Sequence, residues 1–173
     1  MIKRNSSLFM ITTVLIICIA LQAQGQELGE HMEFMRPFIG KTWLGHYSNP
    51  EDAHYRHIVK WESILDGQSV RLTKSVDELS FAMETIYYWD AGKQQVAFLS
   101  LTNRGQLSRG AVKIEGDLVI MEGESIVQEG NRPFKTSYFL RPDGTLEDRF
   151  HVKSGDKWNQ RHLILMTELK DKE

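Results

Sequence analysis

From Gly40 onward the apolar residues of this chain recur with a period of two, and that period commits it to β-strands. Tyr55, His57, Val59, Trp61, Ser63 and Leu65 alternate with Arg56, Ile58, Lys60, Glu62 and Ile64. Phe81, Met83, Thr85, Tyr87 and Trp89 repeat the pattern, as do Leu146, Asp148, Phe150 and Val152. Successive side chains of a strand point to opposite faces, so each run offers one face to a core and one to water. Turn residues punctuate the runs at Asp66-Gly67, Ala91-Gly92, Asn103-Arg104-Gly105, Gly116-Asp117, Pro142-Asp143-Gly144 and Gly155-Asp156. The spacing predicts about ten short antiparallel strands in a meander. That many strands in one domain must close on themselves or pack as two sheets. Consecutive short hairpins favour an all-β, up-and-down antiparallel barrel over the alternative, a β-sandwich. Before the strands, Leu28, Met32, Met35 and Ile39 recur at helical spacing, and Pro37 ends that helix near Arg36. A short helix over 27–36 is expected against one end of the sheet.

Loop length fixes register, and register decides which side chains meet. A two-residue Asp66-Gly67 turn pairs Trp61 with Leu72 and Val59 with Lys74. A two-residue Gly116-Asp117 turn points Val119, Met121 and Gly123 inward. Pro142-Asp143-Gly144 suits a three-residue hairpin with Gly144 left-handed, which pairs Leu140 with Leu146, Tyr138 with Asp148, and Phe134 with Val152. Read as a three-residue turn, Ser154-Gly155-Asp156 pairs Val152 with Trp158, Leu146 with Ile164, and Asp148 with His162.

Residues 1–25 have the three parts of an export signal. Lys3 and Arg4 form a basic n-region, Leu8 to Leu21 an apolar stretch, and Ala23-Gln24-Gly25 places small residues for a cut before Gln26. The apolar stretch is short for a bilayer span of about 20 residues. The expected mature protein is one exported domain over residues 26–173, periplasmic or extracellular. The competing reading is an uncleaved anchor. The single cysteine, Cys18, lies inside the signal, so the mature chain forms no disulfide although its compartment would permit one. The whole chain carries a formal net charge of −2, and loss of Lys3 and Arg4 makes it more acidic. That balance argues against a nucleic-acid partner, which needs a basic stripe, and against an anionic membrane surface.

Gly40-Lys41-Thr42-Trp43, following a short helix and opening the first strand, resembles the Gly-x-Trp signature at the start of lipocalins, with one extra residue between Gly and Trp. Trp61-Glu62-Ser63-Ile64-Leu65-Asp66-Gly67 and Tyr87-Tyr88-Trp89-Asp90 look like an uncharacterised bacterial family of exported lipocalin-like domains. The resemblance covers residues 28–169. It implies a calycin-type barrel with a ligand-accessible interior, and it brings no catalytic residues with it.

Two groups of residues are candidates for a site. Tyr138, Asp148 and His162 lie side by side on three adjacent strands in the expected register, all facing inward. A phenol, a carboxylate and an imidazole can orient a polar ligand group, serve a hydrolase or isomerase, or simply satisfy one another in a core. An imidazolium held beside the carboxylate would have a raised pKa. Trp61, Tyr87, Trp89 and Phe98 form an inward aromatic cluster, suited to a pocket wall or to a filled core. Lys74 falls between inward Leu72 and Val76. Its ammonium is expected at the barrel rim, or else facing an anionic ligand, because burying it alone is costly. His54 and His57 are three apart, on opposite faces of a strand, so they do not chelate a metal together. Neither a dinucleotide or phosphate loop nor a Gly-x-Ser-x-Gly elbow is present, and no cofactor is expected. These features favour a non-enzymatic binder of a small apolar or amphipathic molecule inside the barrel. The alternatives are an enzyme using Asp148 and His162 and a solid-core interaction module.

Overall fold

Ten antiparallel strands close into one up-and-down barrel, each hydrogen-bonded to its two neighbours in chain order. The computed structural model describes residues 27–128 and 130–170; the expected export signal lies outside the described residues. The strands are β1 (Thr42–Tyr47), β2 (His57–Ile64), β3 (Ser69–Val76), β4 (Phe81–Asp90), β5 (Gln95–Thr102), β6 (Leu107–Glu115), β7 (Leu118–Val127), β8 (Gly130–Leu140), β9 (Leu146–Ser154) and β10 (Lys157–Glu168). The first and last strands pair from Trp43 opposite Glu168 to Tyr47 opposite Ile164. That pairing closes the ring and sets aside the sandwich.

Three of the four hairpins with an expected register have it. Trp61 pairs with Leu72 and Val59 with Lys74 across β2–β3. Glu115 pairs with Leu118 around Gly116-Asp117. Leu140, Tyr138 and Phe134 pair with Leu146, Asp148 and Val152 across β8–β9, with Gly144 at φ +84°.

The β9–β10 hairpin differs. Its turn is two residues, Gly155-Asp156, so Ser154 opposes Lys157 and Trp158 opposes Lys153 rather than Val152. Uncorrected, that slip would carry the buried residues of β10, Ile164 and Met166, to the outside. A bulge between Gln160 and His162 corrects it by inserting Arg161. Beyond the bulge His162 opposes Phe150, Ile164 opposes Asp148, and Met166 opposes Leu146, each one pair away from the expected partner. The inward set of the strand body is therefore as expected. The tip is reversed, and Trp158 lies outside with the ammonium groups of Lys135 and Lys153 at 5.2 and 5.9 Å from its ring.

One end of the barrel is plugged. The N-terminal helix is shorter than expected, a 3-10 helix over Glu30–Met35 followed by Pro37. It packs against β3 and β4. Gly29 donates its N–H to Gly67 O at 2.9 Å, and the Ser63 hydroxyl donates to Glu27 O at 2.8 Å, which moors the segment to the β2–β3 turn. Met32, Met35 and Phe38 are buried, the Phe38 ring 5.4 Å from that of Trp61. With Trp43, Val70, Leu72, Tyr87 and Phe98 they form a continuous apolar core filling this half of the barrel. Gly110 and Gly123 pair directly on β6 and β7. A Cβ on Gly110 would lie 2.2 Å from Glu122 O and 2.8 Å from the Phe98 ring, so only glycine lets that ring lie against these strands.

Candidate functional site

The other half of the barrel is open and holds a cavity of about 320 Å³. At its mouth the β3–β4 and β5–β6 loops are tied together. Asn103 Nδ2 donates to Ser80 O at 2.9 Å, and an Arg104 guanidinium N–H donates to Leu79 O at 3.0 Å. Apolar lining comes from Val76, Phe81, Met83, Met121, Phe134 and Phe150. The polar lining is divided between two walls.

One wall is a row of hydroxyls. Thr85, Ser100, Ser108 and Ser125 are successive direct partners across β4, β5, β6 and β7, so they occupy one level of the barrel. Thr85 and Ser100 hydrogen-bond at 2.7 Å, and Ser108 and Ser125 at 2.9 Å. All four line the cavity.

The other wall carries charge. Lys74 on β3 donates from Nζ to Asp148 Oδ2 on β9 at 3.0 Å. Their side chains are only 9% and 3% exposed, so this is a buried ion pair and Lys74 does not reach the rim. His57 on β2 is 2% exposed, and neither of its ring nitrogens has a hydrogen-bond partner among the described residues. Asp148 Oδ1 has none either. His162 Nε2 stands 4.0 Å from Asp148 Oδ1, beyond hydrogen-bond reach. The bulge at Arg161 explains the gap, because it sets His162 opposite Phe150, against whose ring it stacks at 5.2 Å. Tyr47 turns its edge between the two imidazoles, 4.5 Å from His57 and 5.5 Å from His162. A second hollow of about 330 Å³, between the β1–β2 loop and β10, shares Tyr47, Leu79 and His162 with the cavity.

These surroundings fix the charge states. Burial holds His57 down to about 3, reinforced by Lys74. Burial likewise holds His162 down to about 4; Asp148 pushes it up and Lys74 pushes it down. The raised pKa expected from the Asp148–His162 pairing is thus reversed, since Lys74 has taken the carboxylate and the ring is dehydrated. Burial alone would raise Asp148, but Lys74, His162 and His57 outweigh it and hold it below its ordinary value. Burial, with Asp148 nearby, pushes the Tyr138 phenol well up. At neutral pH the wall therefore offers one neutralised ion pair, two uncharged imidazoles and an un-ionised phenol.

Of the seven residues expected at a ligand, Tyr138, Asp148 and His162 line this cavity. Trp61, Tyr87 and Phe98 lie in the filled core beneath it, and Trp89 stacks on His31 of the N-terminal helix at 3.7 Å. Sequence reasoning missed His57, the Lys74 partnership and the hydroxyl row. The register could have found the row, which is one hydroxyl on each of four consecutive strands, and it turns His57 and Lys74 inward with Val59; the Lys74–Asp148 contact joins strands that are not neighbours and has no such signal. Among the described residues no group of three His, Cys, Asp or Glu side chains is placed to hold a metal ion. No family model and no curated protein matches the chain. The closed ten-stranded barrel is consistent with a lipocalin-like fold and compatible with ligand binding.

Proposed function

We propose that this is an exported, lipocalin-like binding protein of the bacterial type described above, holding a small amphipathic molecule in the open half of its barrel. The carrying observation is the cavity, which sets apolar side chains beside buried polar atoms without partners. Such atoms cost stability when left unsatisfied, and a ligand group that satisfies them recovers it. Volume supports a modest ligand, at the low end of the range of about 300–1,000 Å³ for small-molecule sites. The signal-like N-terminus supports export. The hydrolytic alternative receives less support, because Asp148 is engaged by Lys74 and stands off from His162.

N-phenyl-1-naphthylamine, a neutral fluorescent amphiphile, tests the reading. Titration should give saturable enhancement at one equivalent, and Ser125→Trp, which fills the cavity from β7, should abolish it while the protein stays folded by circular dichroism. Unsaturable enhancement, or saturable enhancement that survives the filled cavity, would refute it. Intact-mass analysis of exported material should show a chain starting near Gln26; full-length chain in the membrane fraction would refute the export component.

A further inference from the structure

The charged wall of the cavity has a polarity more specific than amphipathic. Lys74 Nζ donates to Asp148 Oδ2 at 3.0 Å, so its charge is cancelled within the wall, and the other cation of the cavity, Arg104, is held at the mouth by Leu79 O. Asp148 Oδ1, buried and unpartnered, accepts a hydrogen bond without offering one. His57, also buried and unpartnered at both nitrogens, offers one donor and one acceptor when neutral. A carboxylate placed here would meet a carboxylate. An alkylammonium would meet Lys74. A hydroxyl or primary amide supplies both a donor for Asp148 Oδ1 and an acceptor for a His57 N–H.

We infer that the cavity selects ligands whose buried head group is an uncharged donor–acceptor, an alcohol or primary amide, over the corresponding acid or amine, and that the Lys74–Asp148 pair is the element that enforces this neutrality. The inference rests on the binding reading above. It assigns the ion pair a role in selectivity by mutual cancellation, because each charge is held by the other and withheld from the ligand. The low proton affinities of His57 and His162 act in the same direction, keeping further positive charge out of the wall.

Three probes of one chain length separate the possibilities: 1-octanol, octanoate and octylammonium, titrated by calorimetry at pH 7.5. The unmodified protein should bind 1-octanol at least about tenfold more tightly than either ion, the penalty of one desolvated, mismatched charge. In Asp148→Asn the freed Lys74 ammonium should invert the order in favour of octanoate. In Lys74→Met the freed carboxylate should favour octylammonium. His57→Phe should weaken 1-octanol without creating a preference for either ion. Binding of octanoate as tight as that of 1-octanol by the unmodified protein would overturn the inference, and this comparison needs no variant to fold. An unchanged order in both charge variants would overturn it as well. Failure of all three probes to bind would instead overturn the binding reading beneath it.

Discussion

Lys74→Met is the perturbation that most directly tests the interior described above. The Lys74–Asp148 pair spans 3.0 Å with side chains 9% and 3% exposed. At an effective dielectric constant of about 20, two unit charges at that distance attract by about 5 kcal/mol, most of which repays their dehydration. Removing only the cation leaves Asp148 buried and uncompensated, so the expected loss is about 3–5 kcal/mol at pH 7.5. For a domain of this size that is a fall in melting temperature of roughly 10–15 °C. The loss has a pH signature. In the unmodified protein Asp148 is held below its ordinary pKa, and its stabilisation is present above the unfolded value and lost as pH falls through the folded one. In the variant, burial has lost its main counterweight and raises the folded pKa, so the carboxyl destabilises the fold at high pH and ceases to do so once protonated. The deficit should therefore shrink as pH falls toward the unfolded carboxyl value of about 4. Lys74→Met combined with Asp148→Asn should recover most of the loss, because neither charge is then left alone. Urea unfolding followed by circular dichroism at pH 7.5 and 4.5 measures all of this. A cost below about 1 kcal/mol for Lys74→Met, the value of a solvated surface pair, or a double variant as unstable as the sum of the singles, would refute the buried pair.

Acid should weaken the fold through His57 and His162. Their folded pKa values lie near 3 and 4 against about 6.5 unfolded, so their contribution is complete above about pH 6.5 and declines below it as the unfolded chain takes up protons the buried rings refuse. Melting temperature against pH should flatten in this window for His57→Phe and His162→Phe; an unaltered slope in both would contradict the burial of neutral rings. Gly123→Ala places a Cβ 2.1 Å from Arg109 O and should destabilise by several kcal/mol, on the order of 3, whereas a loss within experimental error would show that β6 and β7 separate freely there. Deleting Arg161 removes the bulge residue and forces either Gly155-Asp156 out of its turn or Ile164 and Met166 out of the core. The deletion should leave little folded protein in soluble expression, and a stable product with native circular dichroism would show that the bulge is dispensable.

Where hairpins carry unambiguous turn residues, register was legible from residue order alone. Asp66-Gly67, Gly116-Asp117 and Pro142-Asp143-Gly144 each admit one parity that keeps apolar partners together, and each has that parity. Ser154-Gly155-Asp156 admits two. A three-residue turn and a two-residue turn corrected by a bulge give the same inward set for the strand body, and they differ only in who faces whom. That difference moved His162 away from Asp148 and set it on Phe150. Its pKa falls rather than rises, because burial of the ring outweighs Asp148, whose partner comes instead from β3, 74 residues away in sequence. The aromatic cluster shows another limit. Trp61, Tyr87 and Phe98 point inward as their spacing requires, but whether an inward ring lines space or fills it depends on the summed volume at that level of the barrel. No single strand carries that information.

The four tryptophans are distributed so that the protein reports on its own integrity separately from its occupancy. Trp43 and Trp61 lie in the filled core, Trp89 is stacked beneath the N-terminal helix, and Trp158 sits outside between two lysines. None lines the cavity, whereas Tyr47 and Tyr138 do. Indole emission should thus track unfolding and stay nearly silent as a ligand enters, while the tyrosine absorption band responds to it. Two wavelengths on one sample then separate a variant that cannot hold its ligand from one that cannot hold its shape.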